Sequence, residues 1–361
     1  MKIGILTKRY YTNKDLIKDR YGRLYHLPKQ WVGLGAEVDV LALDYRNKAS
    51  SEVVEGRLRL HSIPSNGFQL SSFEDTVLWG EYDVLVASGH LNLGWMVLSL
   101  AKKYRIPCVF DVYDYYPAFL GALHPIGVWL MRRMIGRFDG AMVVSAALDE
   151  FCRSSNEKIC RIPNGVDVNR FQAVPQVRAR EALSLETKIP IFGLFGSISD
   201  DLGRLEVLAA FRAFRRKYPE AQLVVGGDGS VFFNGVEGAR SLGMLSHSEL
   251  PVWASACDCL LIPYRKSLQV RYSQSARLAE YLALGKPIVV TRTGDAETWF
   301  PVDYAGWCEP SDHYSMACAM LAQYEQRASV AFPSRLRWEN LGKASFEFIQ
   351  SIVSDRSISG F

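Results

Sequence analysis

The side chains best spaced for chemistry lie in Tyr272-Ser273-Gln274-Ser275-Ala276-Arg277-Leu278-Ala279-Glu280-Tyr281. Arg277 and Glu280 are three residues apart and share one face of a helix. That places a cation near a helix start, suited to phosphate, beside a carboxylate suited to a ribose diol. A buried charge-assisted hydrogen bond of this kind is worth about 1.5–3 kcal/mol; a plain surface ion pair would have the same polar pattern. A second cluster is Val112-Tyr113-Asp114-Tyr115-Tyr116-Pro117, directly after an apolar run at 107–112 that contains Asp111. A carboxylate among aromatic rings at a strand end is placed to receive sugar hydroxyls while the rings stack on the sugar face. An aspartate that caps the next turn, with aromatics that fill space, explains the pattern equally well. His90, in Ser88-Gly89-His90, and Gly22 with Arg23, in Arg20-Tyr21-Gly22-Arg23, end two earlier runs. A glycine there lets a ligand approach the backbone, and free amides at a helix start favour anions. A turn glycine and a structural histidine are the ordinary alternatives. No G-x-G-x-x-G follows the first run, so nicotinamide binding loses its main support.

These residues need elements to hold them. In the first half, short apolar or β-branched runs at 3–7, 37–43, 82–87, 107–112 and 141–145 alternate with longer amphipathic stretches at 23–34, 93–104 and 126–138. The second half repeats the rhythm, with strands expected at 189–195, 221–225, 258–263 and 287–291 and helices at 205–218 and 277–284. Strands alternating with helices predict parallel sheets covered on both faces, and such sheets bind ligands at the carboxyl ends of their strands. Ile162-Pro163-Asn164-Gly165-Val166-Asp167 and the polar, weakly periodic stretch after it read as a linker. The sequence therefore predicts a domain at 1–168, a second at 169–340 and a last helix at about 341–355.

A chain of 361 residues suits two domains, because single hydrophobic cores stop growing at about 250–300 residues. With 48% hydrophobic and 22% charged residues it has the composition of an ordered globular protein. A net charge of +4 lacks the strongly basic balance of a nucleic-acid binder. The opening apolar run is too short for a signal-peptide core, and no window approaches the ~20 apolar residues of a membrane span. The seven cysteines are scattered and odd in number, which points to a reducing compartment. Cys257-Asp258-Cys259 lacks a second ligand pair at zinc spacing and reads as buried thiols beside a strand. The expected location is the cytoplasm.

In order along the chain, the sequence resembles the retaining GT-B glycosyltransferases of glycosyltransferase family 4. The resemblance rests on the 162–167 segment, Leu242-Gly243-Met244-Leu245 with Ser248-Glu249-Leu250-Pro251, Ala256-Cys257-Asp258 before Leu260-Leu261-Ile262-Pro263, and Ala279-Glu280-Tyr281-Leu282-Ala283-Leu284-Gly285-Lys286-Pro287-Ile288-Val289. It implies an α/β GT-B fold, with two facing Rossmann-like parallel-sheet domains and a cleft between them. It places the acceptor with the first domain and the nucleotide sugar with the second, and sends the last helix back to the first. Neither cofactor nor bound metal is implied, because the nucleotide sugar is a substrate and positive side chains and helix-start amides neutralise the leaving diphosphate.

Residue by residue, Glu280 matches the glutamate that holds the ribose, and Gly294-Asp295-Ala296-Glu297 resembles the family's glycine-rich loop ending in Glu. Gly196 and Ser197 fall in the diphosphate loop, Gly22 at the first-domain glycine and Asp114 at an aspartate that often follows a histidine, here Tyr113. There are departures. Tyr272 replaces the first glutamate of the E-x7-E pair, and Ser197 and Leu202 stand at the usual Arg and Lys of the diphosphate clamp. Arg277 occupies a position where one branch carries lysine, and Arg204, Arg265, Lys266 or Arg271 are candidates for the remaining charge. The candidate set is therefore Asp114 and Tyr113 for catalysis, with Gly22, Arg23, His90 and Asp111 on the acceptor side. On the donor side it is Gly196, Ser197, Arg265, Arg277, Glu280, Gly294, Asp295 and Glu297.

The expected reaction moves a sugar from a nucleotide sugar to a carbohydrate or lipid-linked saccharide, with retention. The missing clamp leaves open a catalytically silent GT-B protein that binds a sugar nucleotide or a partner enzyme. An epimerase or phosphorylase on the same fold is a weaker option. Residues 128–138 mix apolar and basic side chains at helical spacing. Peripheral contact with the inner face of a membrane is one reading; an ordinary helix packed on a sheet with its arginines outward is preferred.

Overall fold

The structure, a computed structural model, describes residues 1–11, 14–46, 50–64, 74–75, 80–200, 202–246 and 248–358. The chain divides into two compact units, Met1–Gly165 with Trp338–Phe361, and Val166–Arg337.

The first unit is built on strands β1 (Lys2–Lys8), β4 (Glu37–Asp44), β5 (Ser51–Glu55), β6 (Leu58–Pro64), β7 (Val84–Ser88), β8 (Cys108–Val112), β9 (Gly140–Val143) and β10 (Ile159–Arg161), with a small hairpin of β2 (Tyr10–Tyr11) and β3 (Lys14–Asp15) beside β1. The sheet order is β10-β9-β8-β7-β1-β4-β6-β5, parallel except for the β5–β6 edge pair. The middle strands are apolar almost without interruption: Ile3, Ile5, Leu6, Val84, Val86, Val109 and Phe110 are buried. A parallel sheet covered on both faces demands this pattern. The hairpin at 51–64 escaped the sequence reading because β5 lies at the edge and exposes most of its side chains.

The C-terminal helix Trp338–Ile358 belongs to this unit and packs on the helix Arg23–Gly33. The Trp31 indole N–H donates to Ser345 Oγ at 2.8 Å, and the His26 ring stacks on Trp338 at 5.2 Å. Gly140 of β9 sits so close beneath Phe348 and Ile352 that an added methyl group would come within 2.8 Å of both. The helix thus completes the cover over β9 and contributes Leu341, Phe346, Ile349 and Ile352 to the buried interior.

The second unit carries β11 (Ile191–Phe195), β12 (Gln222–Gly226), β13 (Ala239–Ser241), β14 (Cys259–Ile262), β15 (Ile288–Thr291) and β16 (Trp307–Cys308), all parallel, in the order β13-β12-β11-β14-β15-β16. The expected linker stretch after Asp167 is folded into this unit. It forms the helix Gln176–Ala182, whose Arg180 is buried and donates to Asp258 Oδ2 at 2.7 Å. The same Asp258 oxygen also receives the Ile191 amide at 2.8 Å, so a single carboxylate pins the start of β11 and the helix before it. Cys257 and Cys259 on either side are buried, and burial pushes the Cys257 thiol up to about 12. They behave as inert core thiols.

Candidate active site

Both sheets have the same strand logic. In each, the first strand is flanked on one side by the next strands in sequence and on the other by strands that follow a crossover. The connections therefore leave in opposite directions at β1/β7 in the first unit and at β11/β14 in the second. A crevice opens at the carboxyl ends of the strands at such a point. The candidate residues gather there.

In the first unit, Lys8 ends β1, Gly89-His90 follow β7, and Tyr113-Asp114 follow β8. Asp114 is half-buried and accepts no hydrogen bond from the described residues. Burial pushes its carboxyl up to about 7 against the opposing pull of Lys8 and Arg23. Burial also lowers the Lys8 ammonium below its usual range, with Asp114 acting the other way. Around them the rings interlock: Tyr11 meets Tyr113 edge-on at 4.9 Å, and His90 lies 5.7 Å from Tyr116. Tyr113 and Tyr116 are buried, and burial pushes both phenols well above their usual range, so they are neutral here. Gly22 precedes the helix Arg23–Gly33 as its N-cap, at φ 72°.

Arg23 and Asp111 are placed otherwise than expected. Arg23 is 1% exposed; its Nη2 donates to Asp111 Oδ1 at 2.6 Å and its Nε to Oδ2 at 3.2 Å. Nη1 donates to the Ile162 carbonyl at 2.9 Å, and Ser88 Oγ donates to Asp111 Oδ2 at 2.6 Å. The two side chains satisfy each other inside the wall, which corrects the reading of them as acceptor ligands. Their work is to fix the helix start, β8 and the 162–164 segment against one another. Removing one partner of such a pair typically costs about 3–5 kcal/mol.

In the second unit, Gly196-Ser197 follow β11 and Tyr264-Arg265 follow β14, with the helix Ala276–Ala283 between β14 and β15. Tyr281 Oη ties this helix to the end of β11, accepting from the Phe195 amide at 3.0 Å and donating to its carbonyl at 3.3 Å. One turn earlier, Arg277 Nη2 donates to the Ser197 carbonyl at 2.7 Å, and the guanidinium lies over the Tyr264 ring at 5.4 Å. Gly196 has φ 110°, and a methyl group there would come within 2.8 Å of Arg277 Nη2. The close approach of loop and guanidinium therefore requires glycine. Glu280 is half-exposed on the same helix. Arg265 is held by Glu206, its Nε donating to Oε1 at 2.8 Å, while Arg204 pairs with Asp200 at 2.7 Å.

After β15 comes the turn Gly294–Thr298. Glu297 is exposed, but Asp295 is 6% exposed and its Oδ2 receives the Trp299 indole N–H at 2.8 Å. That carboxylate braces the turn, which corrects its reading as a direct donor ligand. Three residues that position this site were not read from the sequence: Lys8, Tyr264 and Glu206. Lys8 and Tyr264 stand at or just past the carboxyl ends of the first and fourth strands of their sheets, and that rule alone would have found them.

The two-unit architecture is shared with known proteins. Residues 23–170 match the family model described as Glycosyltransferase Family 4, and residues 189–326 match that described as Glycosyl transferases group 1. No curated protein matches the chain. Among solved structures, sucrose-phosphate synthase from Thermosynechococcus elongatus superposes with a TM-score of 0.73 at 15% identity, covering 99% of this chain and 96% of its own. Anabaena HepE in complex with UDP and glucose gives 0.69 at 16% identity, covering 99% of both chains. A trehalose-phosphate synthase (UDP-forming) from Burkholderia vietnamiensis gives 0.66 at 12%, covering 99% and 98%. The chain belongs to the GT-B glycosyltransferases, with a family 4 domain followed by a group 1 domain.

Proposed function

We propose that the second unit holds a nucleotide-sugar donor at the ends of β11 and β14 and that the sugar passes, with retention, to a saccharide or lipid-linked saccharide acceptor received by the first unit. The observation that carries the donor reading is Arg277, set at a helix start against the Gly196-Ser197 loop, with Glu280 one turn further on the same helix. A guanidinium and helix-start amides together suit a diphosphate, and the half-exposed carboxylate suits a ribose diol. Support comes also from Anabaena HepE, solved with UDP and with UDP-glucose, which shares the fold. On this reading Arg277 stands in for the arginine and lysine that Ser197 and Leu202 replace, with Arg265 as a second, partly neutralised cation. The site needs no cofactor and no bound metal, the leaving diphosphate being neutralised by these groups. On the acceptor side, Asp114 receives the hydroxyl that attacks, while Tyr113 and His90 shape its surroundings.

Thermal-shift titration with UDP, GDP, ADP, CMP and dTDP tests the donor site, because selective binding stabilises the folded state. One nucleotide is expected to raise the melting temperature of the wild type, by about 2.7 kcal/mol of stability at one hundred times its Kd. The shift is expected to disappear in Glu280→Ala. No shift with any nucleotide would favour a silent donor site and overturn the proposal.

A further inference from the structure

With Ser197 and Leu202 in the loop after β11, the candidates for the missing charge beside Arg277 are Arg204, Arg265, Lys266 and Arg271. The structure separates them. Arg204 is drawn off: its Nε and Nη2 donate to the two carboxylate oxygens of the exposed Asp200, at 2.7 and 3.2 Å, and its guanidinium lies over the Phe232 ring at 4.4 Å. Lys266 and Arg271 are exposed and make no ion pair with a described residue. Of these candidates only Arg265, just past the end of β14, is held by a buried partner. Its Nε donates to Oε1 of Glu206 at 2.8 Å, and Glu206 is 8% exposed in the first turn of the helix Arg204–Arg215. That helix start is pressed against the end of β14: Gly203, its N-cap at φ 76°, leaves no room for a methyl group against the Pro263 carbonyl.

The Arg265 guanidinium is gripped at one edge only. Nε takes Glu206, while Nη1 and Nη2 donate to no described residue. Oε2 of Glu206 is buried and likewise has no hydrogen-bond partner among the described residues, so the carboxylate holds the arginine through a single oxygen. A guanidinium carries its donors in a rigid fork, and one fixed at Nε presents its remaining amino groups in a set direction. Arg277 lies over the ring of Tyr264, the residue before Arg265, at 5.4 Å. Arg265 is also near enough to the loop after β11 to add to the effect of Arg204 in holding the Asp200 carboxyl below its usual range. From Glu280 to Arg277 is a step toward the start of the helix Ala276–Ala283, and Arg265 lies on the stretch of chain that leads into that start. A nucleotide with its ribose at Glu280 therefore meets Arg277 first and Arg265 next. We propose that Glu206 is a positioning residue that aims Arg265 at the terminal phosphate of a nucleoside diphosphate, so that the charge absent from the β11 loop is supplied from β14 by an anchored arginine. This rests on the donor-site reading and adds to it how that charge is held and what it selects, the second phosphate.

Isothermal titration calorimetry of the full chain with uridine, UMP and UDP, and with the corresponding guanosine, adenosine, cytidine and thymidine sets, tests it. The wild type is expected to prefer a diphosphate to the matching monophosphate. Arg265→Met is expected to weaken the diphosphate by about tenfold and to leave the monophosphate within about twofold. Glu206→Leu is expected to match it, although that change removes a negative charge near the anion, because the guanidinium loses its hold. Glu206→Gln, whose side-chain oxygen still accepts from Nε, is expected to keep most of the preference. The combined variant Glu206→Leu, Arg265→Met leaves no charge buried alone, which preserves folding. It is expected to bind the diphosphate within about twofold of Arg265→Met, since the two side chains act as one unit. Tighter diphosphate binding by Glu206→Leu, an unchanged preference in Arg265→Met, or equal weakening of mono- and diphosphate in the combined variant would overturn the proposal and leave the donor-site reading standing. No binding of any nucleotide by the wild type would overturn both.

Discussion

Asp114 sits where a change of one pH unit alters its charge. Its carboxyl is raised to about 7 by burial, from an ordinary value of 3.8. A base poised near the working pH is the arrangement that makes proton acceptance effective. With Asp114 as the group that receives the acceptor hydroxyl, kcat/KM rises with pH through about 7. Asp114→Asn removes that dependence and lowers turnover by about 100-fold or more; a pH profile of both proteins checks it. The same shift has a thermodynamic side. The folded chain holds this proton more tightly than the unfolded chain, so the stability it contributes is present below pH ~3.8 and is lost as pH rises through ~7. Melting curves between pH 4 and 8 should show the wild type falling relative to the asparagine variant. The residue scale is also where the sequence was hardest to read. Arg23 and Asp111 were visible as charged residues at strand ends, but they lie 88 positions apart and nothing local reveals that they face each other. Asp295 sits in a family-like loop, yet a tryptophan four residues on takes its carboxylate.

At the scale of elements, the strands and helices around both sites were legible because each carried a strong period. The apolar runs at 3–7, 107–112 and 287–291 fall on β1, β8 and β15, and the helix expected at 277–284 is Ala276–Ala283. What could not be read was direction. Periodicity gives the two faces of the 124–135 helix but not which is covered; the buried one is Gly127, Met131, Met134 and Ile135, and the outward one mixes Ile126 and Trp129 with Arg132 and Arg133. The Gly196 loop is another contact that only the folded chain reveals, since its partner comes from a helix 80 residues later. Gly196→Ala places a methyl group against the Arg277 guanidinium at a φ that side chains rarely adopt. It should destabilise the second unit by about 1–3 kcal/mol. It should also weaken nucleotide binding by more than the loss of stability explains. Chemical denaturation and a nucleotide titration at low temperature separate the two effects.

For the whole molecule, the division into two units is not a division of the chain into two consecutive pieces. The first unit is closed by residues 338–358, which arrive only after the second is complete. Truncation after Arg337 should therefore lower the stability of the first unit while leaving nucleotide binding by the second. It would expose Trp31, His26 and Gly140, which now lie under Ser345, Trp338 and Ile352. Hydrogen exchange resolved by peptide distinguishes this from a uniform loss. The second unit, for its part, begins and ends at one place: Val166 and Arg337 form a parallel bridge, and the Val166 amide donates to the Leu336 carbonyl at 2.9 Å.

That closure sets an order of events on the ribosome. Domains generally fold as units as they emerge during synthesis. Here the stretch from Val166 to Arg337 has all of its own strands in hand while the first 165 residues still wait for the segment that covers β9. The unit encoded second is finished first. The unit encoded first must hold an incomplete apolar face through the translation of nearly half the chain, which makes it the natural client of a holding chaperone.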